Sequence, residues 1–203
     1  MLKKLYNKFI QNRFEYSQVG QDIFALNLFG KNGTYLEIGA FQPILDSNTY
    51  LLEVKNNWKG LSIELKESLK PKWKSCKERT NPVYFQDALK FDYKLKIIEN
   101  NLPLHMNYFS CDIDPAKNTF SALKRVIEQG ISFDYISFEH DDYLNEDSYH
   151  KIACDYLIPK GYKIAIENIF PKNKTNKVFE TWFINKAISF KKIEFIEWKK
   201  NNI

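Results

Sequence analysis

The stretch GTYLEIGAF, residues 33–41, limits what this chain can fold into more than any other segment does. Its apolar residues from Tyr35 to Ile38, interrupted by Glu37, predict a short buried β-strand. Gly39 then allows the chain to leave the strand through a turn that a Cβ atom would hinder. In open α/β sheets, such a turn at the carboxyl end of the first strand binds nucleotide-like ligands. The alternative interpretation is that Gly39 is an ordinary glycine between a strand and a loop and that no ligand binds there.

The loop after Gly39 lacks the second and third glycines of the dinucleotide-binding fingerprint. Gln42 and Pro43 follow Ala40 and Phe41 instead. This composition argues against a pyrophosphate group on the loop, because the fingerprint glycines let the backbone approach the phosphates. The loop leaves room for a ligand that needs no phosphate cradle.

Strand-like and helical segments alternate along the whole chain. The predicted strands are residues 34–39, 61–64, 83–85, 108–112, 133–138, 161–168 and 192–198. The predicted helices are residues 17–30, 47–57, 66–79, 118–130, 146–157 and 176–188, with Ser17 as the N-cap of the first. Strands separated by helices in this way predict an α/β fold with a mostly parallel sheet and helices on both faces.

The length of 203 residues, 44% of them hydrophobic, predicts a single domain with one sizeable core. We expect residues 1–30 to form a helical cap on a core formed by residues 31–203. Three cysteines without metal-ligand spacing indicate reduced thiols in a cytoplasmic protein. The net charge of +5 comes from lysines scattered among acids, which allows nucleic-acid binding but favours a solvated surface without it.

No stretch of the sequence approaches the ~20 apolar residues that a membrane span needs. The basic N-terminal segment LKKLYNKFIQNRF could form an amphipathic helix on a membrane or partner surface. Packing of its Leu5, Phe9 and Ile10 on the protein body is the favoured interpretation, since surface helices of globular proteins pack in this way.

Acidic residues stand at or near the carboxyl ends of successive predicted strands. They are Glu37, Glu64, Asp87, Asp112, Glu139 and Glu167. Because these strand ends meet at one edge of a parallel sheet, the acids should face a common crevice. Burying several carboxylates together is unfavourable unless a ligand, a cation or hydrogen-bond donors compensate them. Acids that merely flank strands and point into water explain one or two such positions, but not the whole series.

Three features of this edge could carry chemistry. Glu64 ends the second strand, where a carboxylate offers two acceptor oxygens to the vicinal hydroxyls of a ribose. Asp112 and Asp114 could place one carboxylate toward a cofactor or metal and the other toward a substrate hydroxyl. Glu139 and His140 follow the fifth strand, and the neighbouring acids should raise the pKa of His140.

The same acids also suit a cation. Asp112, Glu139 and His140, with Asp141 beside them, offer oxygen donors and one imidazole, which fit Mg²⁺ or Mn²⁺. Zinc is disfavoured because no thiol or second histidine has suitable spacing. A structural histidine at the end of a strand is the alternative for His140.

Several motifs in order resemble the FkbM-like class I S-adenosylmethionine-dependent methyltransferases. The motifs are SQVGQD, YLEIGAF, SNTYLLE, WKGLSIEL, FSCDID, ISFEHDDY, GYKIAIEN and FETWF, between Ser17 and Phe183. The resemblance implies a Rossmann-like sheet of seven strands, mostly parallel, with the last strand antiparallel. It also implies that the methyl donor lies over the turn after the first strand. Gln42 and Pro43 depart from the family, whose members usually carry another small residue there.

The resemblance also assigns residues to the donor, S-adenosylmethionine. Glu37 and Gly39 would flank its methionine part, Glu64 would hold the ribose hydroxyls, and Asp87 with Ala88 would lie beside the adenine. The whole set of expected donor-binding residues is Gln18, Glu37, Gly39, Ala40, Phe41, Asn48, Glu64, Leu65, Asp87, Ala88 and Asp112.

By the same resemblance, the expected reaction is methyl transfer to a sugar hydroxyl in a polysaccharide, glycolipid or nucleotide-linked precursor. His140 or Asp114 would be the base. Asp112 would orient the acceptor directly or through Mg²⁺ or Mn²⁺ held with Glu139 and His140. The acceptor site would come from loops, the termini or a second subunit of a homodimer.

Two other classes of function stay open. One is a non-catalytic protein that binds the donor or a partner. The other is a nucleic-acid methyltransferase, which is disfavoured because the chain has DIDP where an (N/D)PPY-type motif would stand.

Overall fold

The computed structural model describes residues 16–144, 147–170 and 177–190. Seven strands form one sheet. They are β1 (Thr34–Ile38), β2 (Lys59–Glu64), β3 (Val83–Phe85), β4 (His105–Cys111), β5 (Ser132–Glu139), β6 (Tyr162–Ile169) and β7 (Glu180–Asn185). Their order across the sheet is β3-β2-β1-β4-β5-β7-β6. The first five strands pair in parallel, and β7 is antiparallel to both β5 and β6.

Helices connect the strands. They are α1 (Gln21–Phe29), α2 (Lys70–Ser75), α3 (Tyr93–Glu99), α4 (Ala116–Glu128) and α5 (Tyr149–Leu157). A π-helical segment, Leu51–Lys55, follows β1, and short 3₁₀ helices occupy Glu67–Leu69, Asp142–Leu144 and Ile158–Lys160. Among the described residues, no helix combines the length and the apolar character that crossing a bilayer requires.

The sheet separates two apolar layers because side chains alternate along each strand. On β1, Tyr35 enters an aromatic layer with α1 and the π-helical segment, whereas Leu36 enters the layer that contains residues of α3, α4 and α5. In the aromatic layer, the rings of Tyr108 and Tyr135 stack with centroids 4.7 Å apart. Both faces of the central strands are therefore buried, which explains their nearly continuous apolar sequences.

The predicted mostly parallel sheet of seven strands is confirmed, but one helix prediction is wrong. Residues 176–188 were expected to be helical, whereas Glu180–Asn185 form β7 between β5 and β6. Its neighbouring side chains Trp182 and Phe183 enter opposite apolar layers. A short run that is apolar on both faces has neither helical nor strand periodicity, so its sequence does not decide between the two.

The start of the first helix also differs from the prediction. α1 begins at Gln21 after Gly20, whose φ of 94° is left-handed, so Ser17 is not its N-cap. The Ser17 hydroxyl donates a hydrogen bond to Asp22 and accepts one from the Gly20 amide. The predicted strand at 192–198 and most of the predicted N-terminal cap lie outside the described residues, and the division at residue 30 stays a prediction.

We predict that truncating Phe183 to alanine lowers the free energy of unfolding by about 3–5 kcal/mol, because the ring is fully buried and its removal leaves a cavity. The control is Ile98→Ala on α3, where the side chain is 55% exposed and the expected change is within about 0.5 kcal/mol. Urea denaturation measures both. Equal losses for the two variants would contradict the burial of β7 in the sheet.

Candidate functional site

A cleft of about 420 Å³ opens at the carboxyl ends of the parallel strands. The predicted site residues that line it are Gln18, Glu37, Gly39, Phe41, Asn48, Glu64, Leu65, Asp87, Ala88, Asp112, Asp114 and Glu139. It lies beside β1, where the strand order reverses: the chain runs from β1 outwards to β2 and β3, and then crosses back to β4 on the other side of β1. Open α/β sheets bind ligands at such switch points.

The floor of the cleft is the turn at Gly39. Gly39 has a φ of 82°, and a Cβ atom added there would lie 1.6 Å from the carbonyl oxygen of Asp112. The amides of Gly39 and Ala40 both donate to the Ile63 carbonyl, at 3.0 and 3.1 Å. Only glycine allows this approach of the ends of β1, β2 and β4, which brings their acids together.

Glu37 lines the cleft and is almost fully buried. Its Oε2 accepts hydrogen bonds from the hydroxyls of Thr49 at 2.8 Å and Ser62 at 2.7 Å, and lies 3.7 Å from the Arg79 guanidinium. Burial raises the pKa of Glu37, whereas the positive charge of Arg79 lowers it. Among the described residues, the hydrogen bonds to Glu37 end on Oε2, which leaves Oε1 for a ligand.

Asn48 adds a second acceptor to the cleft. Its amide nitrogen donates to the Ser110 hydroxyl at 2.9 Å, while its buried Oδ1 has no hydrogen-bond partner among the described residues. A buried polar atom without a partner is unfavourable, so a donor on a ligand would stabilise it.

Glu64 lies in another part of the cleft. Its Oε2 accepts from the Phe41 amide and its Oε1 from the Lys66 amide, both at 2.7 Å, which fixes the carboxylate. Each oxygen keeps a further lone pair, so the group can still accept from two adjacent hydroxyls. Phe41 and Leu65, which are 41% and 67% exposed, line the cleft nearby and provide apolar surface.

Asp112 and Glu139 lie together where β4 and β5 end, and their side chains share a hydrogen bond. Burial is the main cause that raises both pKa values, and the charge of Asp112 raises that of Glu139 further. The pair therefore shares one proton near neutral pH. Asp114 lines the same part of the cleft and is exposed.

His140, one of the two predicted bases, is not among the residues that line the cleft, whereas Asp114 is. The His140 ring is buried, with Nε2 3.2 Å from the Thr181 hydroxyl and Nδ1 3.1 Å from Asp142 Oδ1. The expected direction of its pKa is also wrong. Burial lowers the pKa of His140 to about 4, although Asp142 acts in the opposite direction. His140 is a neutral structural residue at the end of β5.

The predicted metal ligands Asp112, Glu139 and His140 are not arranged as a metal site. The ring nitrogens of His140 contact Thr181 and Asp142, which do not line the cleft, and Asp112 and Glu139 are hydrogen-bonded to each other. Within residues 16–144, 147–170 and 177–190, no group of three or more His, Cys, Asp or Glu side chains is placed to hold a metal ion. The structure does not support Mg²⁺ or Mn²⁺ at this position.

Two further predictions differ from the geometry, and several lining residues were not predicted. Ala40 is buried against Leu69 and Trp73, outside the cleft lining, and Glu167 is exposed on β6. The lining residues that were missed are Asp46, Ile63, Lys66, Gln86, Leu89, Ile113 and Asn118. Most of them stand within two positions of a predicted residue, so a wider window around each motif would have included them.

Among the comparisons with known proteins, only the comparison with solved structures found similar proteins. No protein-family model matches the chain, and no curated protein matches it. A solved protein of the NADB-Rossmann superfamily from Streptococcus agalactiae is similar, with a TM-score of 0.56, 12% identity, and coverage of 91% of this chain and 76% of that chain.

Two solved methyltransferase structures are also similar. Magnesium protoporphyrin IX methyltransferase from Synechocystis, with bound S-adenosylmethionine, has a TM-score of 0.52, 10% identity, and coverage of 81% of this chain and 77% of its own. A proposed tRNA (m1A22) methyltransferase from Streptococcus pneumoniae, in complex with S-adenosylmethionine, has a TM-score of 0.54 and 10% identity. The match covers 89% of this chain and 86% of that chain. At these identities the likeness shows the fold alone, which is Rossmann-like. The resemblance to FkbM-like proteins stays a prediction.

Glu180 is a buried acid next to Glu139 whose raised pKa can be tested through the pH dependence of stability. It pairs with Glu139 across β5 and β7, is buried, and accepts hydrogen bonds from Gln21 and Trp182. Burial raises its pKa from 4.5 to about 8. The folded state binds the Glu180 proton more tightly than the unfolded state does. The contribution of this proton to the free energy of unfolding is therefore complete below pH 4.5 and is lost as the pH rises towards 8.

We therefore predict that Glu180→Gln flattens the fall in unfolding free energy between pH 4.5 and 8, by up to about 1.4 kcal/mol per pH unit. Urea denaturation across this range measures the slope. Glu128→Gln, at an exposed position on α4, is the control and should keep the original slope. Unchanged slopes in both variants would show that Glu180 is already ionised in the folded protein.

Proposed function

We propose that this protein is an S-adenosylmethionine-dependent methyltransferase of the FkbM-like type that methylates a hydroxyl of a sugar or glycan precursor. One observation carries the proposal. A cleft at the switch point of a methyltransferase-like sheet is lined by the carboxylate of Glu37, by Asn48, whose buried Oδ1 has no partner among the described residues, and by a separate fixed carboxylate, Glu64. These groups match the ammonium group and the ribose hydroxyls of an amino-acid-bearing nucleoside.

In this proposal each part of the donor has its own residues. Glu37 and Asn48 accept hydrogen bonds from the ammonium group, and Glu64 accepts them from the ribose hydroxyls. Phe41 and Leu65 supply apolar contacts for the adenine, beside Asp87 and Ala88. When bound, S-adenosylmethionine supplies a methyl group that its sulfonium makes electrophilic.

The acceptor would lie at the end of the cleft lined by Asp112, Asp114 and Glu139. Carboxylates there can accept hydrogen bonds from several hydroxyls of a sugar, whereas they would repel a polyanion such as RNA. Asp114 is the candidate base, because it is exposed and lines the cleft, whereas His140 lies outside it. Asp112, bonded to Glu139, would orient the acceptor hydroxyl.

We predict that S-adenosylmethionine binds the wild-type protein and that Glu64→Ala weakens binding by about tenfold or more, since hydrogen bonds to the charged group are lost. Isothermal titration calorimetry measures both affinities. The control is Glu67→Ala, which removes an exposed carboxylate paired with Lys70 and should leave the affinity within about twofold. A wild-type protein that binds no donor at millimolar concentration would refute the enzyme proposal.

We predict that Asp114→Asn lowers methyl transfer by about 10²-fold or more, because a general base is lost, while donor affinity stays within about twofold. Transfer of labelled methyl groups to polysaccharide, glycolipid and nucleotide-linked sugar acceptors measures the rate. Asp155→Asn on the exposed face of α5 is the control and should keep full activity. Methylation of RNA but of none of these acceptors would contradict the substrate class, and donor binding without any transfer would favour a non-catalytic binding protein.

A further inference from the structure

Arg79 lies between α2 and β3, outside every motif that the sequence analysis used, and its side chain is buried. Its Nε donates to Glu53 at 2.7 Å, and one terminal nitrogen donates to the Pro43 carbonyl and the Ser47 hydroxyl, both at 3.0 Å. The other terminal nitrogen donates to Thr49 at 2.9 Å. One side chain therefore holds several points of the segment that connects β1 to the π-helical segment.

The face of the guanidinium makes a further contact with this segment. It lies 4.7 Å from the centre of the Trp73 ring, whose Nε1 donates to the Phe41 carbonyl at 3.0 Å. Glu53 is itself fixed, because its Oε1 accepts from the amides of Thr80 and Asn81. The loop at 41–49 lacks the fingerprint glycines, and these side-chain bonds determine its conformation instead.

The charges around Arg79 do not balance. Two buried carboxylates, Glu37 and Glu53, surround a single guanidinium. An uncompensated buried negative charge is unfavourable, and a cation that enters the cleft would stabilise it. Since Glu53 makes the direct ion pair at 2.7 Å and Glu37 is at 3.7 Å, Glu37 is the less closely paired of the two carboxylates, and it lines the cleft.

We propose that Arg79 is a positioning residue that holds Glu37 and the 41–49 loop so that the cleft selects nucleosides carrying an ammonium group. This inference rests on the proposed donor binding. Arg79 acts through Glu37 and Thr49 and does not line the cleft. Its orientation of the Glu37 carboxylate, rather than a contact of its own, determines the preference.

The test compares two nucleosides that differ in the amino-acid part. S-adenosylhomocysteine carries the ammonium group, and 5′-methylthioadenosine lacks the whole amino-acid end. Calorimetry on the wild-type protein should give a preference of about tenfold or more for S-adenosylhomocysteine, since a charge-assisted contact is added. Arg79→Lys keeps a positive charge but loses the planar fork of donors, so it should reduce that preference at least about fivefold. The affinity for 5′-methylthioadenosine should stay within about twofold.

Thr49→Val is the second variant, in case Arg79→Lys does not fold. It removes the hydroxyl that joins Arg79 to Glu37 and leaves the Arg79–Glu53 ion pair in place, and the same loss of preference is expected. Arg125→Lys is the matched control, because its Nε donates to the Phe91 carbonyl on the other layer of the protein, and the preference should not change.

Each other outcome overturns the inference in a distinguishable way. If folded variants bind both nucleosides more weakly by the same factor, Arg79 maintains the shape of the cleft but does not determine the preference for the ammonium group. An unchanged preference in folded variants would show that Arg79 does not act through Glu37. Equal affinity of the wild-type protein for the two nucleosides would overturn the proposed selectivity alone. A wild-type protein that binds neither nucleoside would overturn the proposed function as well.

Discussion

The backbone contact between Gly39 and Asp112 is the constraint on which the site depends. Because β1 pairs with β2 on one side and β4 on the other, all three strands end at the same place. The chain can turn there only if the residue after β1 has no side chain, since a Cβ atom would overlap the Asp112 carbonyl. That turn opens the cleft and places Glu37, Glu64 and Asp112 around it.

A buried ionic network stabilises the loop above this turn. Glycine-rich loops hold nucleotides with their backbone amides, whereas this loop is tied by Arg79, Trp73 and Glu64 to neighbouring elements. Buried ion pairs are costly, but each donor of Arg79 has an acceptor, and the network gives the loop one conformation. The same network leaves Glu37 as the less closely paired carboxylate beside Arg79, and Glu37 lines the cleft. In the proposed function, stability of the loop and recognition of a cationic ligand group therefore depend on the same residues.

The order of apolar strands and the acids at their ends predicted the sheet and most of the cleft, because both follow from local periodicity and strand direction. The strand Glu180–Asn185 escaped prediction, since a run buried on both faces carries no periodic signal. His140 follows Glu139 directly in the sequence but does not line the cleft, because consecutive residues at the end of a strand direct their side chains to opposite sides. Arg79 could not be recognised either, because its contacts with Glu37, Thr49 and Glu53 join segments that are distant in the sequence.

The two parts of the cleft differ in chemistry, which supports a donor and an acceptor that bind side by side. The central claim is that Glu37 and Asn48 receive the ammonium group while Glu64 receives the ribose. A crystal structure of the protein with S-adenosylhomocysteine tests this claim most directly. We expect the ligand nitrogen within hydrogen-bond distance of Glu37 Oε1 and Asn48 Oδ1, and both ribose hydroxyls on Glu64. A ligand bound in the reverse direction, or outside the cleft, would contradict the account.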